Sequence, residues 1–160
     1  MSYNILDLAK INYKTNRKAR YLISQLLEYG EERYKTDKIK VQITSDLKYV
    51  YIPKFPLPWI WKQRYTPLLI HIPDSYPDVP PIGFYIPHSM CLTTNKPHPH
   101  QFCKTFYSQP DLHKLGWDWF CLHLTDFRDW QPKDDPLKPH KLWNYLDIIK
   151  IGLTNLEIKM

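Results

Sequence analysis

Four prolines in nine residues, Pro73-Asp74-Ser75-Tyr76-Pro77-Asp78-Val79-Pro80-Pro81, interrupt the most apolar part of this chain and limit what it can build there. Proline gives no N–H to a sheet ladder and fixes its own φ, so the stretch is predicted to be a rigid extended loop. On either side lie apolar runs, Leu68-Leu69-Ile70-His71-Ile72 and Ile82-Gly83-Phe84-Tyr85-Ile86, which read as buried strands. Upstream, Ile39 to Thr44 alternates apolar and polar, Ser45-Asp46 supplies a turn, and Tyr49-Val50-Tyr51-Ile52 reads as a further strand. The short gaps predict four consecutive antiparallel strands, a meander.

Helical spacing brackets these strands. From Arg17 to Lys35 the apolar residues Ala19, Leu22, Ile23, Leu26 and Leu27 form one stripe, with Thr15-Asn16 as a cap and Gly30 near the end. After Trp130-Gln131-Pro132, a second stripe runs through Leu142, Tyr145, Leu146, Ile149, Leu153 and Leu156, with Pro139 near the first turn. Residues 87–119 hold no sustained period and are rich in aromatic, His and Cys residues, the mark of a functional segment without regular structure. The expectation is one α+β domain over residues 1–160: N-terminal helix, four-stranded antiparallel meander, irregular active-site segment, C-terminal helix.

The formal charge is +6, with Lys10, Lys14, Arg17, Lys18 and Arg20 gathered near the start. Two readings stay open, a solvated helix face and a docking surface for an acidic partner. No nucleic-acid motif accompanies the charge, so no nucleic-acid partner is expected. Three cysteines, Cys91, Cys103 and Cys121, fit no closed disulfide framework. The opening residues lack a basic region followed by an apolar run, and no stretch approaches the ~18 apolar residues of a membrane span. A reducing, cytoplasmic setting without a membrane partner is expected.

This order of elements, with the motif Pro73-x-x-Tyr76-Pro77-x-x-Pro80-Pro81 before the fourth strand, resembles the ubiquitin-conjugating enzymes. In that family the catalytic cysteine is followed by leucine, and Trp-x-Pro comes a short distance later. Cys121-Leu122 and Trp130-Gln131-Pro132 match that pattern, and the resemblance spans roughly residues 17–156. Two features depart from it. The His-Pro-Asn found shortly before the cysteine is represented only by His98-Pro99-His100, with twenty residues between His100 and Cys121. The run Trp117-x-x-Phe120-Cys121-Leu122-His123, with Trp130 and Asp135-x-Leu137 after it, is more similar to a divergent bacterial branch. Members of that branch sit in operons with a ubiquitin-like protein, an activating enzyme and a deconjugating protease.

The resemblance implies the ubiquitin-conjugating fold and two acyl transfers. Cys121 takes a ubiquitin-like protein from an activating enzyme as a thioester and passes it to an amine of a target protein, with no cofactor. The activating enzyme would dock on the N-terminal helix. The first step needs an accessible thiolate. His123 would share a face with Cys121 on an extended backbone, to favour the thiolate or accept a proton. His100, His123 or an amide near Leu122 would serve the oxyanion. Cys91 is expected to be a packing residue and Cys103 a reserve nucleophile. A zinc held by His98, His100, Cys103, Cys121 and His123 follows none of the common spacings, so no metal is expected. A non-catalytic binding module of the same fold is the alternative.

Overall fold

Ala19, Leu22, Ile23 and Leu26 are buried along one side of helix α1 (Arg17–Arg33), as helical spacing requires. The computed structural model describes residues 2–4, 17–33, 41–44, 46–102, 110–122, 130–132, 136 and 142–156. Helix α1 runs through Gly30 without ending there. The second predicted helix is α3 (Leu142–Thr154), with Leu142, Tyr145, Leu146, Ile149 and Leu153 buried and Leu156 in the turn beyond it. A short helix, α2 (Pro110–Lys114), lies between them in sequence.

The strands are β1 (Ser2–Asn4), β2 (Gln42–Thr44), β3 (Tyr49–Pro56), β4 (Tyr65–His71), β5 (Gly83–Pro87), β6 (Gln101–Phe102) and β7 (Trp117–Cys121). They form one antiparallel sheet in the order β1-β2-β3-β4-β5-β7-β6. Among the described residues the meander therefore has five strands, β1 to β5, where four were expected. The added strand precedes α1 and pairs Tyr3 with Ile43. Three residues are too few to show a period, which is why the pattern did not reveal it. β3 continues past Ile52 because a register shift between Ile52 and Phe55 lets the chain absorb Pro53.

The segment 87–119 also corrects its expectation, since it contains β6, α2 and the start of β7. β7 alternates like any strand, yet both of its faces are covered. Phe120 and Asp118 point to one side and Trp119 to the other, all nearly fully buried. With large side chains on both faces, alternation leaves no apolar–polar signal. Cys121 thus ends a regular strand bonded to β5, and does not sit in an irregular segment.

The sheet's inner face carries Val50, Ile52, Leu68, Ile70, Phe84, Ile86 and Phe120, which join residues of α1 and α3 in one continuous core. Removing each large side chain from water contributes about 1.5–3 kcal/mol. The outer face holds a smaller cluster of Tyr49, Leu69, Tyr85 and Trp119, with Tyr51, Leu112, Trp117 and Cys121 packed around it. Among the described residues no helix is long and apolar enough to cross a membrane.

Candidate active site around Cys121

The proline loop is held by its own turns, with Tyr76 N–H donating to Pro73 O (3.0 Å) and Asp78 N–H to Ser75 O (2.8 Å). The Tyr76–Pro77 peptide is cis. Tyr76 is buried, and its hydroxyl donates to Gln25 Oε1 on α1. Burial pushes that phenol's pKa well up. The same Gln25 oxygen accepts the Leu142 amide at the start of α3 (3.0 Å), while Gln25 Nε2 donates to Pro136 O (2.8 Å). A buried amide satisfied on both ends fixes the loop against both helices. From outside, Arg17 pairs with Asp78 at 2.7 Å and Lys18 Nζ donates to Ile72 O at 3.3 Å. Two members of the basic cluster are thus turned onto the loop; Lys10 and Lys14 lie outside the described residues.

Trp130 closes the loop from the far side. Its indole N–H donates to Pro77 O at 2.6 Å, and its ring lies 6.2 Å from that of Tyr76. Leu122 is clamped three ways. Its amide donates to Ile82 O (3.0 Å), its carbonyl accepts the Tyr145 hydroxyl (3.0 Å), and its side chain packs where a Cβ on Gly152 would meet it at 3.1 Å. The three sequence marks, proline loop, Cys-Leu and Trp-x-Pro, therefore meet in one packed cluster.

With Leu122 turned inward, Cys121 faces the outer side of the sheet. It pairs with Gly83, and Tyr49 pairs with His71. Continuing the β4–β5 register of Leu69 with Tyr85 sets His71 beside Gly83, so Tyr49, His71, Gly83 and Cys121 form one cross-strand row. The Tyr49 and His71 rings meet edge to face at 5.5 Å. Burial raises the Tyr49 phenol to about 12 and lowers the His71 pKa, where Lys18 and Lys48 act in the same direction. A cavity of about 300 Å³ opens at this end of the sheet, lined by Lys48, His71, Pro73, Asp74, Val79, Pro80 and Ile82.

The Cys121 thiol is half-buried, and burial pushes its pKa up; a favourable contact with the Trp119 side chain opposes that. Gly83 leaves the space that Trp119 fills. A Cβ there would stand 2.2 Å from indole carbons Cζ2 and Cη2 and 2.8 Å from the Phe120 carbonyl oxygen. The sequence reading does not single out His71 or Gly83. The available signal was a glycine inside an apolar run in a chain with only 4 glycines, which marks a close approach.

His100 lies elsewhere. Its ring packs 5.6 Å from His98 and 6.3 Å from Phe120, an inner-face residue, whereas Cys121 points outward. His100 N–H donates to His98 Nδ1 at 3.1 Å, and His98 stacks flat on Trp61 at 5.6 Å. His98-Pro99-His100 is therefore a packed turn that does not approach the thiol with its imidazoles. Cys91 is half-buried, with its backbone bonded to Gln63 and Lys62. His123, Cys103, Asp135 and Leu137 lie outside the described residues. Among the described residues no group of three or more His, Cys, Asp or Glu side chains is placed to hold a metal ion.

At the other end of β7, Asp118 is fully buried on the inner side. Its carboxylate accepts His88 Nδ1–H at 2.9 Å and Gln101 Nε2–H at 2.9 Å, and Gln101 Nε2 also donates to Met90 O at 3.1 Å. This network ties β6 and the loop after β5 to β7. No protein-family model matches this chain, and no curated protein or solved structure does either.

Proposed function

We propose that this chain is a ubiquitin-like protein conjugating enzyme with the ubiquitin-conjugating fold. Cys121 is the residue that carries the thioester. One observation supports this above the others: the proline loop, Cys121-Leu122 and Trp130 are far apart in sequence yet pack as one unit, with the cysteine turned away from the core. A nucleophile that must meet large protein partners needs a rigid mount and an outward face, and the clamp on Leu122 provides the mount.

In this reading the Cys121 thiolate attacks the carbonyl carbon of the activating enzyme's thioester, and a tetrahedral oxyanion forms. It collapses with departure of the activating enzyme's thiolate. A target amine then attacks the new thioester, loses a proton and expels the Cys121 thiolate. The activating enzyme docks on α1, the element that also holds the proline loop.

A second reading, a non-catalytic binding module of the same fold, draws on the raised thiol pKa, which keeps the sulfur protonated near neutral pH. A non-reducing gel after mixing the protein with activating enzyme, ATP and the ubiquitin-like protein separates the two. A thiol-sensitive adduct lost in Cys121→Ala and kept in Cys91→Ala and Cys103→Ala is the enzyme's result. An adduct that survives Cys121→Ala rejects this nucleophile, and no adduct at all favours the binding module.

A further inference from the structure

The cysteine lacks the asparagine that a His-Pro-Asn motif would bring, and His100 packs toward the inner face; the outer-face geometry offers a different donor. Trp119 and Cys121 are two residues apart on β7, so their side chains leave the sheet on one face. The indole does not simply stand over its own cross-strand partner, Tyr85. Its Cζ2–Cη2 edge occupies the place of a missing side chain at Gly83, the residue directly opposite Cys121. The indole N–H belongs to the same edge, one ring atom from Cζ2. Tyr85 holds the ring in that lean, with centroids 4.8 Å apart at 56°.

We propose that the Trp119 indole N–H is the hydrogen-bond donor of the Cys121 site, stabilising first the thiolate and then the oxyanion of each acyl transfer, with Gly83 as the positioning residue that admits the ring. An indole N–H donates and cannot accept, so its contribution is to negative charge and not to proton removal. It is buried, where a donor aimed at developing charge acts most strongly and needs no reorganisation. Burial raises the Cys121 pKa on balance, and the contact with Trp119 offsets part of that rise. The other titratable groups described on this face are Tyr49 and Tyr51 in β3, His71 in β4 and Tyr85 in β5, and Tyr145 approaches through the Leu122 carbonyl from α3.

The thiolate half of the proposal needs no partner protein; the oxyanion half rests on the conjugating reading. The test is the pH dependence of Cys121 alkylation by iodoacetamide, read by peptide mass, in wild type and Trp119→Phe. Phenylalanine keeps a ring and removes the N–H. The variant is expected to lose about three- to tenfold in alkylation rate at pH 7, with the profile moved upward. An unchanged profile in a folded variant overturns the proposal. If Trp119→Phe does not fold, benzothienylalanine at position 119, which keeps the indole shape without the N–H, gives the same decision. Discharge of the loaded thioester to free lysine is expected to slow by about 10²-fold or more in the same variant. A shifted alkylation profile with unchanged discharge overturns the oxyanion role. A shifted profile in a protein that never forms a thioester upholds the thiolate donor while rejecting the conjugating reading.

Discussion

The two faces of this sheet are built from the same strands and obey different rules. The inner face is closed by α1 and α3, and the residues the sheet turns toward them are mostly aliphatic and phenyl groups that join one continuous core. The outer face collects tyrosine, tryptophan, histidine and cysteine around a glycine gap. On β7 the contrast appears in neighbouring residues: Phe120 stacks on Phe84 inside, while Cys121 sits against Trp119 outside. A face that must only exclude water selects shape. The outer face instead carries ring systems whose packing depends on one missing side chain, at Gly83.

Destabilisation should be largest inside. Phe84 and Phe120 lie 4.8 Å apart, nearly parallel and fully buried. Phe84→Ala is expected to cost about 3–5 kcal/mol in urea unfolding, the transfer loss plus the cavity left behind. An equal loss from Tyr51→Ala, on the half-buried rim of the outer cluster, would erase the distinction between the faces.

The inner face was also the legible one. Leu68–Ile72 and Ile82–Ile86 announced themselves as strands because apolar runs bounded by turn residues have few other uses. The α1 and α3 stripes followed from spacing in the same way. β7 stayed hidden because Trp117, Trp119 and Phe120 cover both faces at once. The site was half legible: Cys121 and the proline loop stand in local motifs. That Trp119 leans over Gly83, and that Trp130 bonds to Pro77, depends on strand register and on contacts between residues far apart in sequence. His71 looked like one more member of an apolar run.

Next in size is a pH effect on the inner side. Burial lowers the His98 pKa from its ordinary value near 6.5 to about 4, with His100 acting in the same direction. Between those limits the unfolded chain binds a proton that the folded chain refuses. Stability is therefore full above about pH 6.5 and declines as pH falls toward 4, by at most about 3 kcal/mol from this residue. His71 on the outer face is shifted in the same direction and adds to the slope. Urea unfolding of wild type and His98→Gln at pH 4, 5, 6 and 7 isolates the contribution. The stability gap between them should shrink as pH falls, whatever constant packing loss the substitution brings. A gap independent of pH would show that His98 is not held neutral.

Gly83→Ala joins the two faces. Its Cβ would meet the Trp119 ring at 2.2 Å on the outer side and the Phe120 carbonyl oxygen at 2.8 Å on the β7 backbone. Moving the ring is expected to cost about 1–3 kcal/mol and to slow Cys121 alkylation along with it. Loss of stability with unchanged alkylation would confine the glycine to packing.

The smallest effect comes from a pair two residues apart in the β3–β4 loop. Trp61 is buried, donates its indole N–H to Leu153 O at 2.8 Å and stacks on His98. Trp59 is 84% exposed. Trp59→Ala should change stability by no more than about 0.5 kcal/mol, whereas Trp61→Ala should approach the inner-face values of about 3–5 kcal/mol. Because the loop backbone is pinned independently, by Leu57 N–H to Arg64 O (2.8 Å) and Thr93 N–H to Ile60 O (2.9 Å), removing the Trp59 ring leaves its mount intact. A loss above about 1 kcal/mol at Trp59 would mean that this exposed ring contributes to the fold after all, and burial alone would no longer rank the tryptophans.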